Sequence, residues 1–493
     1  MKYISTRGGG EAVSSAYAIK TGLAKDGGLY MPESIPALTM DEIRELAAEK
    51  YTVRAARILA KFLTDYDYEE LLEDAEAAYS EEKFGPHPAP VTSLGELGYM
   101  LELWHGPTSA FKDMALQIMP RIFVRALRKC DEKREAMILV ATSGDTGKAA
   151  LEGYRDVPGV RIKVFFPVDG VSRVQKLQMQ TQEGANVSVN GIIGNFDDAQ
   201  SGVKRIFADA DMARRLDDAG VFLSSANSIN WGRLVPQIVY YVSAYCDLVA
   251  SGAIAEGELI DVCVPTGNFG NIFACCIAKR MGLPVGKMIC ASNKNDVLTE
   301  FLTTGRYDRR RTFHTTMSPS MDILISSNLE RLLYLTLGAE KTREYMLRLA
   351  NDGVYELTER DMAAISSEFR GYSTDEDGTA ATIRKIYNEK NCLIDTHTAV
   401  AVSATMRYIS EDKAERNVLT VSTASAYKFA RDVYTSLCGE ELRDLESLPA
   451  LARLTGVAIP SPLAQLEAKA ILHDTTIAKE EMDESVLQFA SKN

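Results

Sequence analysis

Short apolar runs alternate along the chain with longer stretches of helical periodicity. Most of the apolar runs are rich in β-branched residues and lead into Gly, Ser, Thr or Asn. They span residues 136–144, 162–168, 185–191, 259–270, 286–293 and 417–425. Segments with helical spacing lie between several of them, at 146–156, 197–216 and 234–252. Strand-like runs that alternate with helices predict a parallel sheet covered by helices.

These units fall into two groups, which predicts two α/β lobes. One group covers roughly 125–225 and the other roughly 255–435, whereas residues 1–95 are richer in acidic, helix-like segments and predict a separate N-terminal unit. Parallel sheets bind ligands in the loops at the carboxyl ends of their strands. We therefore expect the polar loops after the strands to line a cleft between the lobes.

Composition and charge narrow the possible partners. The 493 residues carry a net charge of −13 and are 46% hydrophobic and 25% charged. These values are typical of a globular protein and argue against a nucleic acid or an anionic membrane as the main partner. The first residues show no signal-peptide core, and no apolar run approaches the ~18 residues that span a bilayer. A cytoplasmic protein is the expectation.

The spacing of cysteine and histidine argues against a metal site. The eight cysteines are scattered without a CxxC pair, so they predict reduced thiols and no zinc cluster. The five histidines show no HExxH spacing. We expect no metal in this protein.

A glycine-rich loop, TGNFGN at 266–271, lies between a predicted strand and a predicted helix. Two glycines flanked by amide side chains allow backbone N–H groups to converge on an anion at the helix N-terminus. A strand-to-helix turn that requires positive φ explains the same residues. The loop alone leaves both interpretations open.

Two further loops combine hydroxyl groups with a possible capping role. ATSGDTGKAA at 141–150 is too short for the phosphate-binding motif GxxxxGK[ST], and Ala149 stands where that motif needs Ser or Thr. It suits a small zwitterion or a phosphate, although Asp145 and Thr146 also fit a capping pair. STASAYKFA at 422–430 ends another strand: either one of its hydroxyls faces a heteroaromatic nitrogen, or Ser425 caps the helix that follows.

A single cation, Lys112, lies in the mostly small and apolar stretch HGPTSAFKDMAL. It is either a solvated charge at a helix start or a nucleophile in an apolar setting. An amine reacts with carbonyl groups only while it is partly neutral, and an apolar site near other cations lowers its pKa toward that state.

The motifs HGPTSAFKD, ATSGDTG, GNFGN and STASAYKF, in this order, resemble the threonine synthase family of pyridoxal-phosphate enzymes. YISTRGG and GLAKDGGLYMPESIP near the N-terminus and SANSINWGRLVPQIVYY in the middle are also similar to that family. The resemblance extends over roughly residues 1–435. It implies an α/β fold with two parallel-sheet lobes of the fold type II enzymes and an additional N-terminal domain.

The resemblance also implies domain boundaries. The N-terminal domain would cover 1–95, and the large cofactor-binding domain would combine 96–124 with 236–440. The small α/β domain would cover 125–235. Residues 441–493 would form a helical C-terminal segment.

The cofactor that the resemblance implies is pyridoxal 5′-phosphate, bound covalently to Lys112. Thr423 would face the pyridine nitrogen with a neutral hydroxyl. The chain departs here from many relatives, which carry a His-Pro pair where this chain has Ser425 and Ala426. The residues that would hold the cofactor phosphate are Gly267, Asn268, Phe269, Gly270 and Asn271.

The substrate that the resemblance implies is O-phosphohomoserine, which the family converts with water to threonine and phosphate. A monomer or a homodimer would act on this small molecule. An arginine fork suits its phosphate, although Arg233 also fits a surface charge and Asn230 an N-cap. The candidates for one anionic end are Thr142, Ser143, Asp145 and Thr146. The candidates for the phosphate are Lys176, Asn227, Ser228, Asn230 and Arg233.

Two other functions stay open. A threonine or serine dehydratase would keep the lysine and the glycine loop but would need no pocket for a substrate phosphate. HGPTSAFKD and GLYMPESIP favour the synthase. A catalytically silent, ligand-binding relative would be expected to lose the lysine or the glycine loop, and this chain has both.

Overall fold

A computed structural model describes residues 1–142, 144–169 and 171–491 of the chain. The N-terminal part is mainly helical and contains an antiparallel strand pair. A capping box of Thr39 and Glu42 starts its second helix. The elements are β1 (Tyr3–Ser5), α1 (Ser15–Thr21), β2 (Tyr30–Pro32), α2 (Met40–Ala47), α3 (Tyr51–Phe62), α4 (Tyr68–Ala78) and α5 (Glu81–Phe84).

The next part of the chain runs from a hairpin through two helices into the smaller lobe. Its elements up to the lobe are β3 (Val91–Ser93), β4 (Tyr99–Glu102), α6 (Asp113–Leu116) and α7 (Met119–Lys129). Strands and helices then alternate, as the periodicity predicts. They are β5 (Glu135–Ala141), α8 (Asp145–Tyr154), β6 (Val160–Pro167), α9 (Arg173–Gln180), β7 (Val187–Ile193), α10 (Phe196–Ala208), α11 (Ala210–Asp218) and β8 (Val221–Ser224).

The larger lobe begins with a long buried helix, α12 (Trp231–Ala250). The lobe continues with β9 (Ile260–Pro265), α13 (Gly270–Met281), β10 (Val285–Ser292), α14 (Val297–Thr304), β11 (Arg306–Asp308), α15 (Leu329–Leu337), α16 (Ala339–Asn351) and β12 (Val354–Glu356). It closes with α17 (Glu359–Ser366), β13 (Phe369–Ser373), α18 (Glu376–Lys390), α19 (Thr396–Glu411), β14 (Val418–Ser422) and α20 (Ala430–Cys438). The C-terminal elements are α21 (Asp444–Thr455), α22 (Ser461–Ala464), β15 (Thr476–Ala478) and α23 (Met482–Ala490).

Two sheets form the centres of the lobes. The larger sheet has the strand order β13-β10-β9-β14-β4-β3, in which β3 and β4 pair antiparallel and the other pairs are parallel. The smaller sheet has the order β15-β7-β6-β5-β8 with parallel pairs. All six residues of β9 are buried because helices cover both faces of the sheet. The predicted α/β fold with two parallel-sheet lobes and an N-terminal unit is confirmed.

Residues 441–493, predicted to be a helical segment, contain a strand as well as helices. β15 adds a strand to the smaller sheet, and Thr476 pairs there with Gly191 of β7. Met482 and Val486 of α23 pack in the same apolar cluster as Phe165 of β6. A three-residue strand carries no readable periodicity, so tertiary pairing decides its structure. The exact domain boundaries stay predictions.

No helix in the described ranges is long and apolar enough to cross a membrane. α12 is buried along most of its length and packs against α2 and α3 of the N-terminal unit and against α13. Trp231 at its start packs against Tyr3 and Phe62, with ring centroids 5.6 and 5.7 Å away. The N-terminal unit therefore shares a core with the larger lobe, and the first turn of α12 is held firmly.

Candidate active site

Backbone pairing brings Lys112 and Thr423 together although they are far apart in sequence. The N–H of Phe111 donates to the carbonyl of Thr423 at 2.8 Å, and the N–H of Ser425 donates to the carbonyl of Ser109 at 3.0 Å. Ser109 has a φ of 58°, which turns the chain into this pairing. Lys112 thus starts α6 beside the carboxyl end of β14, where parallel sheets bind ligands.

The ammonium group of Lys112 is buried and has two polar partners. Its Nζ donates to Oγ of Ser320 at 3.1 Å and lies 3.6 Å from a carboxylate oxygen of Asp145. Burial lowers the pKa of Lys112 to about 8; Asp145 opposes this shift, while Arg233 and Lys428 add to it. The amine is therefore partly neutral near physiological pH, as a lysine that forms Schiff bases requires.

Asp145 lies between two lysines rather than at a helix cap. Lys428 approaches one oxygen at 2.9 Å, and Gln175 donates to the same oxygen at 2.9 Å. Burial alone would raise the pKa of Asp145, but Lys428 and Lys112 hold it well below its usual range. The alternative of a capping pair with Thr146 is not what the structure has, because no side chain caps α8.

Lys428 lies beside Asp145 and Lys112 but is not among the residues predicted from the sequence. It is almost fully buried, and its ammonium also donates to the carbonyl of Thr108 at 2.9 Å and to Gln178 at 3.2 Å. The available signal was a lysine between two aromatic residues in AYKFA. Ser425 caps the 3₁₀ turn that carries this lysine, as its N-cap interpretation predicted.

The loop at 266–271 runs from β9 into α13, and no side chain caps that helix. The positive φ that a turn was expected to need falls on Phe269, at 60°, and not on the glycines. Gly267 is needed for space, since a Cβ there would lie 2.6 Å from the carbonyl oxygen of Ser320. The free N–H groups at the start of α13 favour an anion.

The side chain of Asn271 in this loop has a hydrogen-bond donor without an acceptor. Its Oδ1 accepts hydrogen bonds from the hydroxyls of Tyr240 and Tyr241, both at 2.6 Å. Its Nδ2 is buried and has no partner among the described residues. A buried N–H donor without an acceptor is costly, and a phosphate oxygen in the loop would satisfy it.

These features fit pyridoxal phosphate, which has an aldehyde that binds lysine and a phosphate that binds a helix N-terminus. Lys112 would hold the aldehyde carbon, the loop Gly267, Asn268, Phe269, Gly270 and Asn271 would hold the phosphate, and Thr423 would face the ring. The hydrogen bonds between Asn328 and the carbonyl of Asn268 support the shape of this loop, at 3.1 Å from its N–H and 2.9 Å from its side chain.

Arg233 is buried in the first turn of α12 and is not the exposed surface charge that the alternative interpretation predicts. Its guanidinium donates one hydrogen bond, at 2.9 Å, to the carbonyl of Ala226 and forms no ion pair with a carboxylate of the described residues. Burial lowers the pKa of Arg233 to about 10. Its charge is close enough to Lys112 to lower the pKa of that amine.

The neighbours of Arg233 divide into two kinds. Asn230 is fully buried and acts as the N-cap of α12; its amide also donates to the carbonyls of Ile19 and Ser225 at 2.9 and 3.1 Å. The capping role and these hydrogen bonds together account for the burial of Asn230. Asn227 and Ser228 are partly exposed, and Oγ of Ser228 accepts from Asn328 at 3.0 Å.

The remaining candidates for the substrate lie in the smaller lobe. The hydroxyl of Thr142 accepts from the N–H groups of Gly144 and Gly147, both at 2.9 Å, so it shapes the loop before α8. Thr146 and Lys176 are partly exposed, on α8 and α9. Ser143 lies outside the described residues. Across the described ranges, no group of three or more His, Cys, Asp or Glu side chains could hold a metal ion.

Family models match almost the whole chain up to residue 424. The model described as "Threonine synthase N terminus" matches residues 2–79, and "Pyridoxal-phosphate dependent enzyme" matches residues 85–424. The chain is thus a pyridoxal-phosphate-dependent enzyme of fold type II.

Individual relatives show which family of pyridoxal-phosphate-dependent enzymes the chain belongs to. Threonine synthase of Pseudomonas aeruginosa is 37% identical over 480 residues, which cover 95% of this chain and 97% of that protein. The crystal structure of PLP-bound threonine synthase from Brucella melitensis is 35% identical, with a TM-score of 0.88 over 100% of both chains. The chain belongs to the threonine synthase family.

A human relative is also similar but longer. Threonine synthase-like 1 of Homo sapiens is 42% identical over 443 residues, or 87% of this chain. The match covers 59% of that protein. The chain therefore spans well under two thirds of the length of this relative.

Proposed function

We propose that the enzyme converts O-phospho-L-homoserine and water to L-threonine and phosphate. The observation that carries this proposal is Arg233, a buried guanidinium beside Lys112 that no carboxylate of the described residues neutralises. A buried cation without a counter-charge is unfavourable, and a substrate phosphate would supply the missing anion. A dehydratase substrate carries a carboxylate but no phosphate, so a dehydratase of this fold needs no substrate anion site beyond the one for that carboxylate, and the additional cation Arg233 favours the synthase.

The residues of the proposed site would divide the substrate between the two lobes. Arg233, together with Asn227 and Ser228 in the segment just before α12, would bind the substrate phosphate. The loop that contains Thr142 and Thr146, at the N-terminus of α8, would bind the carboxylate through its N–H and hydroxyl groups. Lys176 would add a positive charge from α9, while Asn230 would act through the position of α12.

The cofactor, when bound, supplies an electron sink for carbanions formed next to the amino group. Lys112 would take up and deliver the protons of the substrate carbons, since its amine has a pKa of about 8 and both forms are populated near neutral pH. Asp145 and Ser320 would hold that amine in place. Lys428 would keep Asp145 charged and so prevent it from competing for the same protons.

The decisive experiment is to incubate the pyridoxal-phosphate-loaded protein with O-phospho-L-homoserine and to measure phosphate release and threonine together. We expect the two products in equal amounts and neither in a Lys112→Ala variant. Phosphate released without threonine would reject the synthase in favour of another lyase on the same substrate. No reaction with phosphohomoserine but deamination of threonine or serine would favour the dehydratase.

The cellular compartment, the oligomeric state and the domain boundaries of the enzyme are also proposals. All eight cysteines lie in the described part of the chain and are free thiols, which supports a reducing compartment such as the cytoplasm. We propose a monomer or a homodimer, with the domains at 1–95, 96–124 with 236–440, 125–235 and 441–493. Light scattering on the purified protein would measure the assembly, and limited proteolysis would test the boundaries.

A further inference from the structure

A tightly bonded turn faces Lys112 from the larger lobe. It spans residues 316–322 and includes the 3₁₀ turn Pro319–Met321. Asp322 accepts hydrogen bonds from Thr316 at 2.7 Å and from the amides of Asn293 and Asn295 at 2.7 and 3.0 Å. The backbone of the turn therefore has little freedom, although the segment is a loop between a strand and a helix.

A buried histidine bonds to the centre of this turn. The backbone N–H of Ser320 donates to Nε2 of His397 at 3.1 Å. Because an N–H can only donate, Nε2 must be the unprotonated nitrogen, and Nδ1 carries the proton that it donates to Asp395 at 2.7 Å. Asp395 also accepts from the N–H and the hydroxyl of Thr398, so its orientation is set in turn.

The turn presents one side chain to the amine of Lys112. Oγ of Ser320 accepts from Nζ of Lys112 at 3.1 Å and can donate to Asp145 at 3.4 Å. The carbonyl of Ser320 also lies against Gly267 of the phosphate loop. One residue therefore contacts the reactive amine, its neighbouring carboxylate and the loop proposed to hold the cofactor phosphate.

We propose that the hydroxyl of Ser320 acts directly on Lys112 and that His397, bonded to Asp395, is the positioning residue that holds this hydroxyl in place. The hydroxyl accepts a proton of the ammonium form, so it stabilises that form and fixes the direction of the amine. Without the bond from His397, the turn loses its link to α19 and the hydroxyl loses its fixed distance. The inference rests on Lys112 as the cofactor lysine, which belongs to the proposed function, but not on the identity of the substrate.

A purely structural role for His397 predicts different results. The ring packs on Phe429, with ring centroids 4.7 Å apart, so its loss will cost some stability in any case. Stability alone cannot therefore decide between the two roles. The pKa of Lys112 can distinguish the two roles, because it depends on the groups around the amine: Asp145, Arg233, Lys428 and the hydroxyl of Ser320.

The test uses the cofactor-free protein and pyridoxal phosphate as the probe. The rate of cofactor uptake is followed by the visible absorbance of the bound cofactor across a range of pH, and its midpoint reports the pKa of Lys112. Ser320→Ala removes an acceptor from the ammonium form, so we expect the midpoint to fall by about half a unit to one unit. Ser320→Thr keeps the hydroxyl, so its midpoint should stay close to that of the wild type.

His397→Leu should lower the midpoint in the same direction, and the double variant should shift it no further than Ser320→Ala alone, because both changes act through one hydroxyl. His397→Gln serves the same purpose if the leucine variant does not fold. His87→Gln, at an exposed position, is the control for loss of a histidine.

An unchanged midpoint in Ser320→Ala would overturn the role of the hydroxyl. Additive shifts in the double variant, or a lower melting temperature in the His397 variants without any shift, would overturn the positioning role. Cofactor uptake does not depend on phosphohomoserine, so these outcomes are separate from a failure of the proposed synthase activity. Loss of uptake in Lys112→Ala checks that the signal reports this lysine.

Discussion

Two buried arginines near the start of α12 are alike in burial and charge but differ in how the protein uses their N–H groups. Burial lowers the pKa of both, that of Arg233 to about 10 and that of Arg331 to about 9. Arg331 directs all of its N–H groups to the carbonyls of Tyr30, Ser228 and Ile229 and to the side chain of Asn328. Arg233 donates only to Ala226 among the described residues.

This difference indicates a structural role for Arg331, whereas the guanidinium of Arg233 has donors available to a ligand. Arg331 joins the N-terminal unit, the segment before α12 and the start of α15, and its hydrogen-bonding capacity is used up within the protein. Arg233 has most of its donors left, next to a lysine whose pKa it lowers. Burial and charge alone therefore do not indicate a ligand site; the unused donors beside Lys112 are what support the proposed role of Arg233.

The largest effect is expected from Arg331→Met. The change leaves the carbonyls of Tyr30, Ser228 and Ile229 without their donor and removes a buried cation that the fold has fully hydrogen-bonded. We expect the free energy of unfolding to fall by about 3–5 kcal/mol. Urea unfolding and the yield of soluble protein would measure this. Arg128→Met, at an exposed position of α7, is the control and should be close to neutral. A stable Arg331→Met protein would contradict the structural role.

Arg233→Met should leave the melting temperature nearly unchanged and weaken substrate binding. Loss of a buried arginine–phosphate contact costs about 2–3 kcal/mol, so we expect KM for O-phosphohomoserine to rise roughly a hundredfold. Steady-state kinetics measures this, and cofactor absorbance should be retained. If KM stays the same, Arg233 does not bind the substrate phosphate.

Inorganic phosphate should stabilise the wild-type protein through Arg233. At tenfold excess over its dissociation constant, an anion that binds only the folded state adds about 1.4 kcal/mol. Thermal melts with phosphate and with chloride at matched ionic strength would detect the gain. The Arg233→Met variant should lose it while Arg128→Met retains it; an equal gain in both variants would place the anion elsewhere.

The smallest effect concerns the pH dependence of Lys112. Arg233 lowers the pKa of this amine, so Arg233→Met should move it upward from about 8. A higher pKa means that more of the amine is protonated at pH 7, and the midpoint of cofactor uptake should move to higher pH by a fraction of a unit. Arg128→Met should not move it. An unchanged midpoint in Arg233→Met would show that the two cations do not interact.

The fold was largely predictable, and the residues proposed to bind the cofactor could be named, because their signals are local. The runs that became β5, β6, β7, β9, β10 and β14 each alternate with helices, and the loop at 266–271 follows its strand directly. The lysine motif and the glycine loop belong to recognisable stretches of sequence. The short strands β8 and β15 were missed because three or four residues show no period.

The partners of Lys112 were not predictable in the same way. Ser320 is 208 residues away in sequence, and His397 lies a further 77 residues on. Each is an ordinary polar residue in its own segment. Lys428 was visible only as a cation between aromatic residues. Their roles come from contacts among separate strands and turns.

The sequence by itself determined the alternation of strands and helices and predicted the roles of Lys112 and the glycine loop, because each depends on neighbouring residues. The tertiary structure decided which buried charges are neutralised and which are left for a ligand. That choice depends on desolvation and on the distances between groups from distant segments. In Arg331 these distances complete the hydrogen bonds, and in Arg233 they leave donors free beside Lys112.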